Sequence, residues 1–360
     1  MAFLMEIPRD IIFDIFSRLS VKSLMRFKCV SKLCNSLIID PDFVDFYHSH
    51  SIYRPDRRIK LFLRIWGREN FYTLDPKSRQ IKACITSLEN LNGLPYTKFG
   101  YVKGLFYLWS SCYRIAVICN PNTRETRFLP HLNVDTDLSY QCHYSLGFDP
   151  DKRRHKVLMT LYGTKKSTRQ WVLTLGPGES WREIKTIPYN FHPLMQDGIY
   201  IDGIIYFFIG CSNSNGSEIK IAKFNVTTEE IRTISLWCDE EYQVNIEWYF
   251  SLIEIKGKLA VIYSKYGIIK LWILQNGDEW VQQLQDQVVP TNLSSPLCCT
   301  NTHDLDKEEI AIVDSPTSIL LYDLKKKTWR QIDIKGLTYD DKIIGIYSYD
   351  DNWIYSLGRI

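Results

Sequence analysis

A loose unit recurs along most of the chain, and no other feature limits the possible folds so tightly. Its first part is a Gly, two or three apolar residues and an aromatic: Gly104-Leu-Phe-Tyr, Gly203-Ile-Ile-Tyr and, more loosely, Gly257-Lys-Leu-Ala-Val-Ile-Tyr. Its second part is a strand ending in Asp or Asn, a Thr/Lys-rich turn and often a Trp. Examples are Tyr72-Thr-Leu-Asp-Pro, Ile118-Cys-Asn-Pro-Asn-Thr-Arg-Glu, Phe224-Asn-Val-Thr-Thr-Glu-Glu and Tyr322-Asp-Leu-Lys-Lys-Lys-Thr-Trp. Related strands are Trp171-Val-Leu-Thr-Leu, closing on Ser180-Trp-Arg, and Leu271-Trp-Ile-Leu, closing on Glu279-Trp.

With Asp75, Asn120, Leu175, Asn225, Leu274 and Asp323 as markers, the steps are 45, 55, 50, 49 and 49 residues. A period near 50 is that of a four-stranded propeller blade of the kelch sort. One blade cannot bury both its faces, whereas a closed ring of blades can. The markers count about six blades. Two β-sandwiches give a similar spacing, and common hairpin chemistry alone could produce such echoes. Aromatics, at 14% of the 360 residues, favour half-buried strands. Trp66, Trp109, Trp181, Trp272 and Trp329 are expected to stack inside blades.

Residues 6 to 46 follow a different period. Pro8 suits a first helical turn, where its missing N–H costs nothing. Ile11, Ile12, Ile15, Phe16 and Leu19 form a wide apolar stripe, with Arg9, Asp10, Asp14 and Arg18 off it. Ser20 can cap a second helix bearing Val21, Leu24 and Met25, and Ser31 a third bearing Leu33, Cys34, Leu37 and Ile38. Asp40-Pro41 is expected to end it. Three helices in about forty residues bury too little to be secure alone, and so much aliphatic surface implies a partner.

The balance of charge, 44 Lys+Arg against 41 Asp+Glu, offers no broad footprint for nucleic acid or an anionic membrane. The start has acid and proline where a signal peptide needs a basic end and a longer apolar run. The longest apolar stretch, Ile204 to Cys211, falls far short of the roughly 20 residues that cross a bilayer. The ten cysteines show no paired spacing and read as reduced thiols, and the sequons at Asn215, Asn225 and Asn292 as chance matches. A cytoplasmic or nuclear location is expected.

The usual catalytic constellations are missing from the sequence. There is no phosphate loop, and Gly176-Pro-Gly178 fails the dinucleotide fingerprint because position 181 is Trp. Gly-x-Ser-x-Gly, Cys-x-x-Cys and His-Glu-x-x-His do not occur. Cys298-Cys299 with His303 is the nearest approach to a metal cluster and lacks a second pair. His143 and His192 have no acid at telling spacing, and Glu229-Glu230 and Asp350-Asp351 sit in expected turns as solvated charge. No cofactor, metal or catalytic residue is expected.

The run from Ile7-Pro-Arg-Asp-Ile-Ile-Phe-Asp-Ile-Phe-Ser-Arg-Leu to Cys29-Val-Ser-Lys, continued by Ser36-Leu-Ile-Ile-Asp-Pro-Asp-Phe, resembles the F-box in its plant form. The remainder resembles the plant F-box-associated domain of type 3. The matching pieces are Asn120-Pro-Asn-Thr-Arg-Glu with Leu129-Pro, Tyr144-Ser-Leu-Gly-Phe-Asp-Pro, Lys156-Val-Leu and Leu173-Thr-Leu-Gly. Asp202-Gly-Ile-Ile-Tyr, Phe224-Asn-Val and Gly257-Lys-Leu-Ala-Val continue it. The expected organisation is a three-helix F-box over 1–47, a linker over 48–58 and a β-propeller-like substrate domain with kelch-like blades over 59–360.

The resemblance implies the substrate receptor of an SCF-type ubiquitin ligase, docked on a Skp-family adaptor and through it on cullin and RING subunits. Carried over by position, Ile7 and Pro8 open the adaptor-facing segment, and Ile11, Ile12, Ile15 and Leu19 divide between core and partner. Leu24, Cys29 and Val30 match buried or partner-facing positions, and Arg26 and Lys32 match polar ones at the rim. Two positions depart from the pattern. Cys34 stands where the family usually has Trp, a loss of about 1–3 kcal/mol unless Leu33 or Phe43 fills the gap. Val102-Lys-Gly-Leu replaces the usual Cys-x-Gly-Leu. Other readings are an S-locus-type receptor for a secreted ribonuclease, a non-ligase interaction module and a sugar-binding or enzymatic propeller.

Overall fold

The computed structural model describes residues 7–51 and most of 59–350. The exceptions within that span are 66–70, 76–78, 86–96, 111–113, 124, 133–139, 164–167, 177, 186–190, 195–197, 214–215, 238–248, 277, 291–298, 305–306, 316, 339 and 342. Trp66, Asn215, Asn292, Cys298 and Asp351 lie outside the described residues.

The chain opens with helices α1 (Arg9–Ser17), α2 (Val21–Lys28), α3 (Lys32–Ile38) and α4 (Pro41–Ser51). The expected count of three helices is therefore corrected to four. Asp40-Pro41 does end α3, but proline is also a good first helical residue, and Asp40 Oδ1 accepts from the Asp42 N–H (2.9 Å). One dipeptide stops one helix and starts the next.

The strands form six sheets. The second blade holds β4 (Thr97–Val102), β5 (Leu105–Ser110), β6 (Ile115–Asn120) and β7 (Glu125–Phe128). The third holds β8 (Tyr140–Asp149), β9 (Arg154–Gly163), β10 (Arg169–Thr174) and β11 (Arg182–Ile184). In the fourth, β12 (Phe191–Pro193) and β13 (Ile199–Ile201) both pair with β14 (Ile204–Asn213), followed by β15 (Gly216–Asn225) and β16 (Ile231–Ser235). The fifth is β17 (Phe250–Ile255), β18 (Lys258–Lys265), β19 (Ile268–Leu274) and β20 (Trp280–Val288). The sixth is β21 (Cys299–Asp304), β22 (Lys307–Ser315), β23 (Ser318–Asp323) and β24 (Thr328–Asp333).

The first blade is built from both ends of the ring. It combines β1 (Ile59–Ile65), β2 (Phe71–Asp75) and β3 (Gln80–Ile85) with the last strand, β25 (Ile343–Asp350). β25 runs antiparallel to β1, from Ile59 opposite Asp350 to Ile65 opposite Ile343. Contacts between the leading strands run β25, β4, β8, β13, β17, β21 and back to β25, closing a six-bladed propeller.

Two local devices explain the repeat. Lys103-Gly104, Asp202-Gly203 and Lys256-Gly257 each place two successive residues at positive φ, the backbone of a two-residue type I′ hairpin between first and second strands. At the other marker, Asn120, Asn225 and Asp323 each accept two backbone N–H groups from the following turn, at 2.9–3.3 Å. Five markers end the third strand of a blade, and Leu175 directly follows the sixth.

Alternate residues of a middle strand face different neighbours. On β9, Val157, Met159 and Leu161 pack against the second blade, while Leu158 packs against the fourth. On β14, Ile205, Phe207 and Ile209 face the third blade, and Tyr206 and Phe208 the fifth. Six apolar clusters result, one between each pair of adjacent blades. Trp109 and Trp272 are buried in them. Trp181 and Trp329 are half-buried; Trp181 donates to Pro130 O (2.7 Å) and Trp280 to Ser235 O (3.0 Å), each clasping the preceding blade.

Polar groups also join blades. Lys156, almost wholly buried, meets Asp149 (2.8 Å) and Glu229 (3.0 Å) and donates to Val226 O (2.8 Å). Burial would raise Asp149, but Lys156 and the Lys152 N–H hold its carboxyl below the usual range. Glu229, expected as solvated turn charge, is instead a structural partner of Lys156 and Arg182. Lys156→Met leaves the buried Asp149 carboxylate without its cation, while Glu229 keeps Arg182, so it is expected to cost about 3–5 kcal/mol in urea unfolding. A cost under about 1 kcal/mol would show the cluster to be neutral.

His155 is buried in β9, with Nε2 3.2 Å from Val102 O on the second blade. Burial, with Lys103 adding to it, pushes its pKa down to about 3. The unfolded chain takes up a proton below about 6.5 that the folded chain refuses, so stability falls as pH falls through that window. From pH 7 to pH 5 this one group should remove about 2 kcal/mol. Urea unfolding of His155→Gln at the two pH values should show a difference smaller by that amount; an unchanged difference would refute it.

Candidate adaptor-docking face

The helical unit is capped as its serines predict. Ser20 Oγ accepts from Ser23 N–H (3.3 Å) and Ser31 Oγ from Cys34 N–H (3.0 Å), satisfying orphan donors at the starts of α2 and α3. Pro8 O accepts from Ile11 and Ile12 N–H, opening α1. Arg9 pairs with Asp40, joining the starts of α1 and α4.

The unit has a core of its own. Ile12, Phe16, Val21, Leu24, Cys34, Ile38, Phe43 and Tyr47 are all buried together. Tyr47 donates to Leu19 O (3.0 Å), so α4 is tied to the turn after α1. Phe43 lies 5.1 Å from Phe13 and 6.2 Å from Phe16, centroid to centroid. The fourth helix thus supplies the aromatic mass that three helices would lack.

Against this core the sequence-derived positions divide sharply. Ile12 and Leu24 point inward, and Ile7 and Leu19 are half-buried at its edge. Pro8, Ile11, Ile15, Arg26, Cys29, Val30 and Lys32 are exposed. Ile11 and Ile15 lie one turn apart on α1, each 47% exposed, and Val30 is 66% exposed after α2. An aliphatic stripe left in water by a unit with a completed core is a surface built for contact. Arg26 and Lys32 are exposed cations on α2 and α3.

Sequence reasoning missed Phe27, Leu33 and Ile39, which are also exposed. Phe27 lies 5.5 Å from the buried Phe16, linking the end of α2 to the core under α1. Their signal was available: each is apolar at a position where the capped helix already has its inward residues.

Cys34 is 1% exposed and sits among Ile38, Phe43 and Tyr47. The position where the family usually carries Trp is therefore interior. Phe43 shares its cluster, whereas Leu33 turns outward. The departure bears on the packing of the unit itself.

The unit rests on the propeller through α4. Arg153, in the turn between β8 and β9, donates to Asp42 (2.8 Å) and meets Asp45 (3.2 Å). His48 is pushed down to about 3, chiefly by burial and further by Lys103 of the β4–β5 turn. The exposed aliphatics lie on α1, after α2 and on or just after α3, whereas α4 meets the ring.

No group of three or more metal-ligating side chains occurs among the described residues. His143 is enclosed by Trp109 (4.9 Å) and Phe207 (5.4 Å), and His192 is exposed and covers Gly210.

A small helical unit with an exposed aliphatic stripe, fixed on a six-bladed ring, defines a two-part binding protein. Residues 4–46 match the F-box domain, and residues 66–354 match the F-box associated beta propeller domain. The chain belongs to the family of F-box proteins that carry this propeller. It is similar to an F-box protein of Arabidopsis thaliana, 28% identical over 95% of this chain and 93% of that one. A second Arabidopsis thaliana F-box protein is 29% identical over 76% of this chain and 67% of its own. Among solved structures, a protein of unknown function from Bacteroides caccae covers 81% of this chain and 98% of its own, at 12% identity and TM-score 0.46.

Leu24→Ala empties a fully buried site and is expected to cost about 2–5 kcal/mol, while Ile15→Ala should stay below about 1 kcal/mol. Thermal or urea unfolding of the two variants checks this. Equal costs would mean that Ile15 belongs to the core.

Proposed function

We propose that the chain is the substrate-recognition subunit of an SCF-type ubiquitin ligase. Its F-box docks on a Skp-family adaptor, and through it on cullin and RING subunits; the propeller holds the target. The observation that carries this reading is the exposure of Ile11, Ile15 and Val30 on an F-box that has a buried core of its own.

On this reading the chain performs no bond chemistry. It raises the effective concentration of a target lysine near the catalytic end of the assembly, a proximity effect. Ile11 and Ile15 act as aliphatic anchors, Val30 and Cys29 extend the contact, and Arg26 and Lys32 line its rim. Such a subunit works in the cytoplasm or the nucleus.

Co-expression with a Skp-family adaptor tests it. The full chain should co-purify with the adaptor. Ile11→Asp with Ile15→Asp should weaken the complex by at least about tenfold, since each half-exposed anchor has about half of a 1.5–3 kcal/mol side chain left to bury. The double variant should keep its thermal midpoint, because both side chains face water in the free chain. A folded full chain that binds no adaptor, or a double variant that binds as well as the parent, would overturn the reading.

A further inference from the structure

The propeller has two faces, and the F-box occupies one of them. Lys103 and Arg153 lie in turns between the first and second strands of adjacent blades; Arg153 meets Asp42 and Asp45 of α4, and the Lys103 charge acts on His48 of the same helix. Antiparallel strands alternate in direction, so every turn between second and third strands leaves on the opposite face. For the eight residues of β18 the two faces are about 25 Å apart.

That opposite face carries an exposed apolar cluster on the fifth blade. Among the described residues, the large apolar side chains that the propeller exposes are Phe128, Tyr266, Ile268, Val281 and Val288. Three of them converge. Tyr266, 74% exposed, lies in the β18–β19 turn, and Ile268 pairs across the sheet with Val288, itself 65% exposed. Val289 N–H donates to Gly267 O (2.8 Å), which fixes the end of β20 against the turn.

Tyr266 is also an unusual choice for its backbone. Its φ is 51°, in the left-handed region that Asn, Asp and Gly adopt most readily and a bulky ring does not. The ring, 74% exposed, adds little to the fold; the Lys265 ammonium lies 5.0 Å from its centroid. That ammonium also lies 4.6 Å from the Tyr249 ring. Nearby Lys270 is neutralised by Asp286 (3.2 Å), whereas Lys265 makes no ion pair among the described residues. An aromatic, two aliphatics and a cation without an ion pair among the described residues therefore share one corner.

We propose that Tyr266, Ile268, Val288 and Lys265 form a docking surface for a target-protein segment in which an apolar side chain is flanked by a carboxylate. The apolar side chain covers Tyr266 and the Ile268–Val288 pair, and the carboxylate meets Lys265. Charge complementarity selects an acidic segment over a basic one. The surface stays open while the F-box face is engaged, as a receptor requires; in that respect the proposal rests on the receptor reading above.

The test uses the full chain bound to its adaptor, or the full chain alone if the adaptor does not bind, panned against a random-peptide display library. Enriched peptides should carry an apolar residue beside Asp or Glu. Synthetic copies should bind Tyr266→Asn and Lys265→Glu at least about tenfold more weakly than the parent. Asn suits the left-handed turn, so Tyr266→Asn should keep or raise the thermal midpoint, which separates lost binding from lost folding.

Peptides that bind Tyr266→Asn as tightly as the parent, or a library without enrichment, would overturn the surface. So would light scattering that shows a parent dimer dissolved by Tyr266→Asn, since a second copy would then be the occupant. Adaptor binding is scored on the same preparation. Peptide failure with the adaptor bound overturns this surface alone, and peptide binding without adaptor overturns the receptor reading alone.

Discussion

The pairing of β25 with β1 is the constraint on which the rest of the structure depends. Every blade buries apolar residues on both of its faces, so an open row of six would leave two faces bare. The last strand closes the row by completing the first blade. Leu61, Leu63 and Ile346 then face the sixth blade, while Phe62, Phe71 and Tyr347 face the second. Tyr347 also donates to Phe99 O (2.7 Å), so the closing strand holds two blades at once. The entropy of joining residues nearly 300 apart rises only slowly with that distance, whereas the two buried interfaces are gained together.

Closure also sets what the F-box meets. Because the leading strands converge on the axis, their turns to the second strands gather on one face, and Lys103 and Arg153 come from neighbouring blades to the same helix. Exposed ion pairs such as Arg153 with Asp42 contribute little alone. His48 beside them is half-buried, and Arg153 meets a second carboxylate, Asp45. The acidic helix and the basic turns fix which face of the ring the F-box covers.

Much of this was legible in the residues, for identifiable reasons. The fifty-residue period could be read because two turns enforce it: the Lys-Gly or Asp-Gly pair at positive φ, and the Asn or Asp that binds the turn amides. Both depend on one or two residues and leave a local mark. The serine caps of α2 and α3 were legible on the same ground. Features that depend on partners distant in sequence were not. The strand-swapped first blade has no local signature, since β25 reads like any other strand. Glu229 looked like solvated charge because Lys156, 73 residues earlier, gives no sign of lying beneath it. α4 has no such mark, because Pro41 after Asp40 reads as a stop, although proline has two roles at helix ends.

The docking stripe of the F-box shows the same division. Periodicity groups Ile11, Ile12 and Ile15 on one side of α1, but three adjacent apolar residues cover more of the helix than its own core can take. Ile12 goes to the core and the others remain in water. Phe43 and Tyr47 on α4 share that core with Ile12, whereas Ile11 and Ile15 lie outside it. A helix absent from the expected count thus contributes two of the eight side chains of the core. Cys34 belongs to the same packing, buried in one cluster with two large aromatics from α4. The unit thus completes its core from its own fourth helix, and its outward stripe is left over from packing rather than borrowed from it.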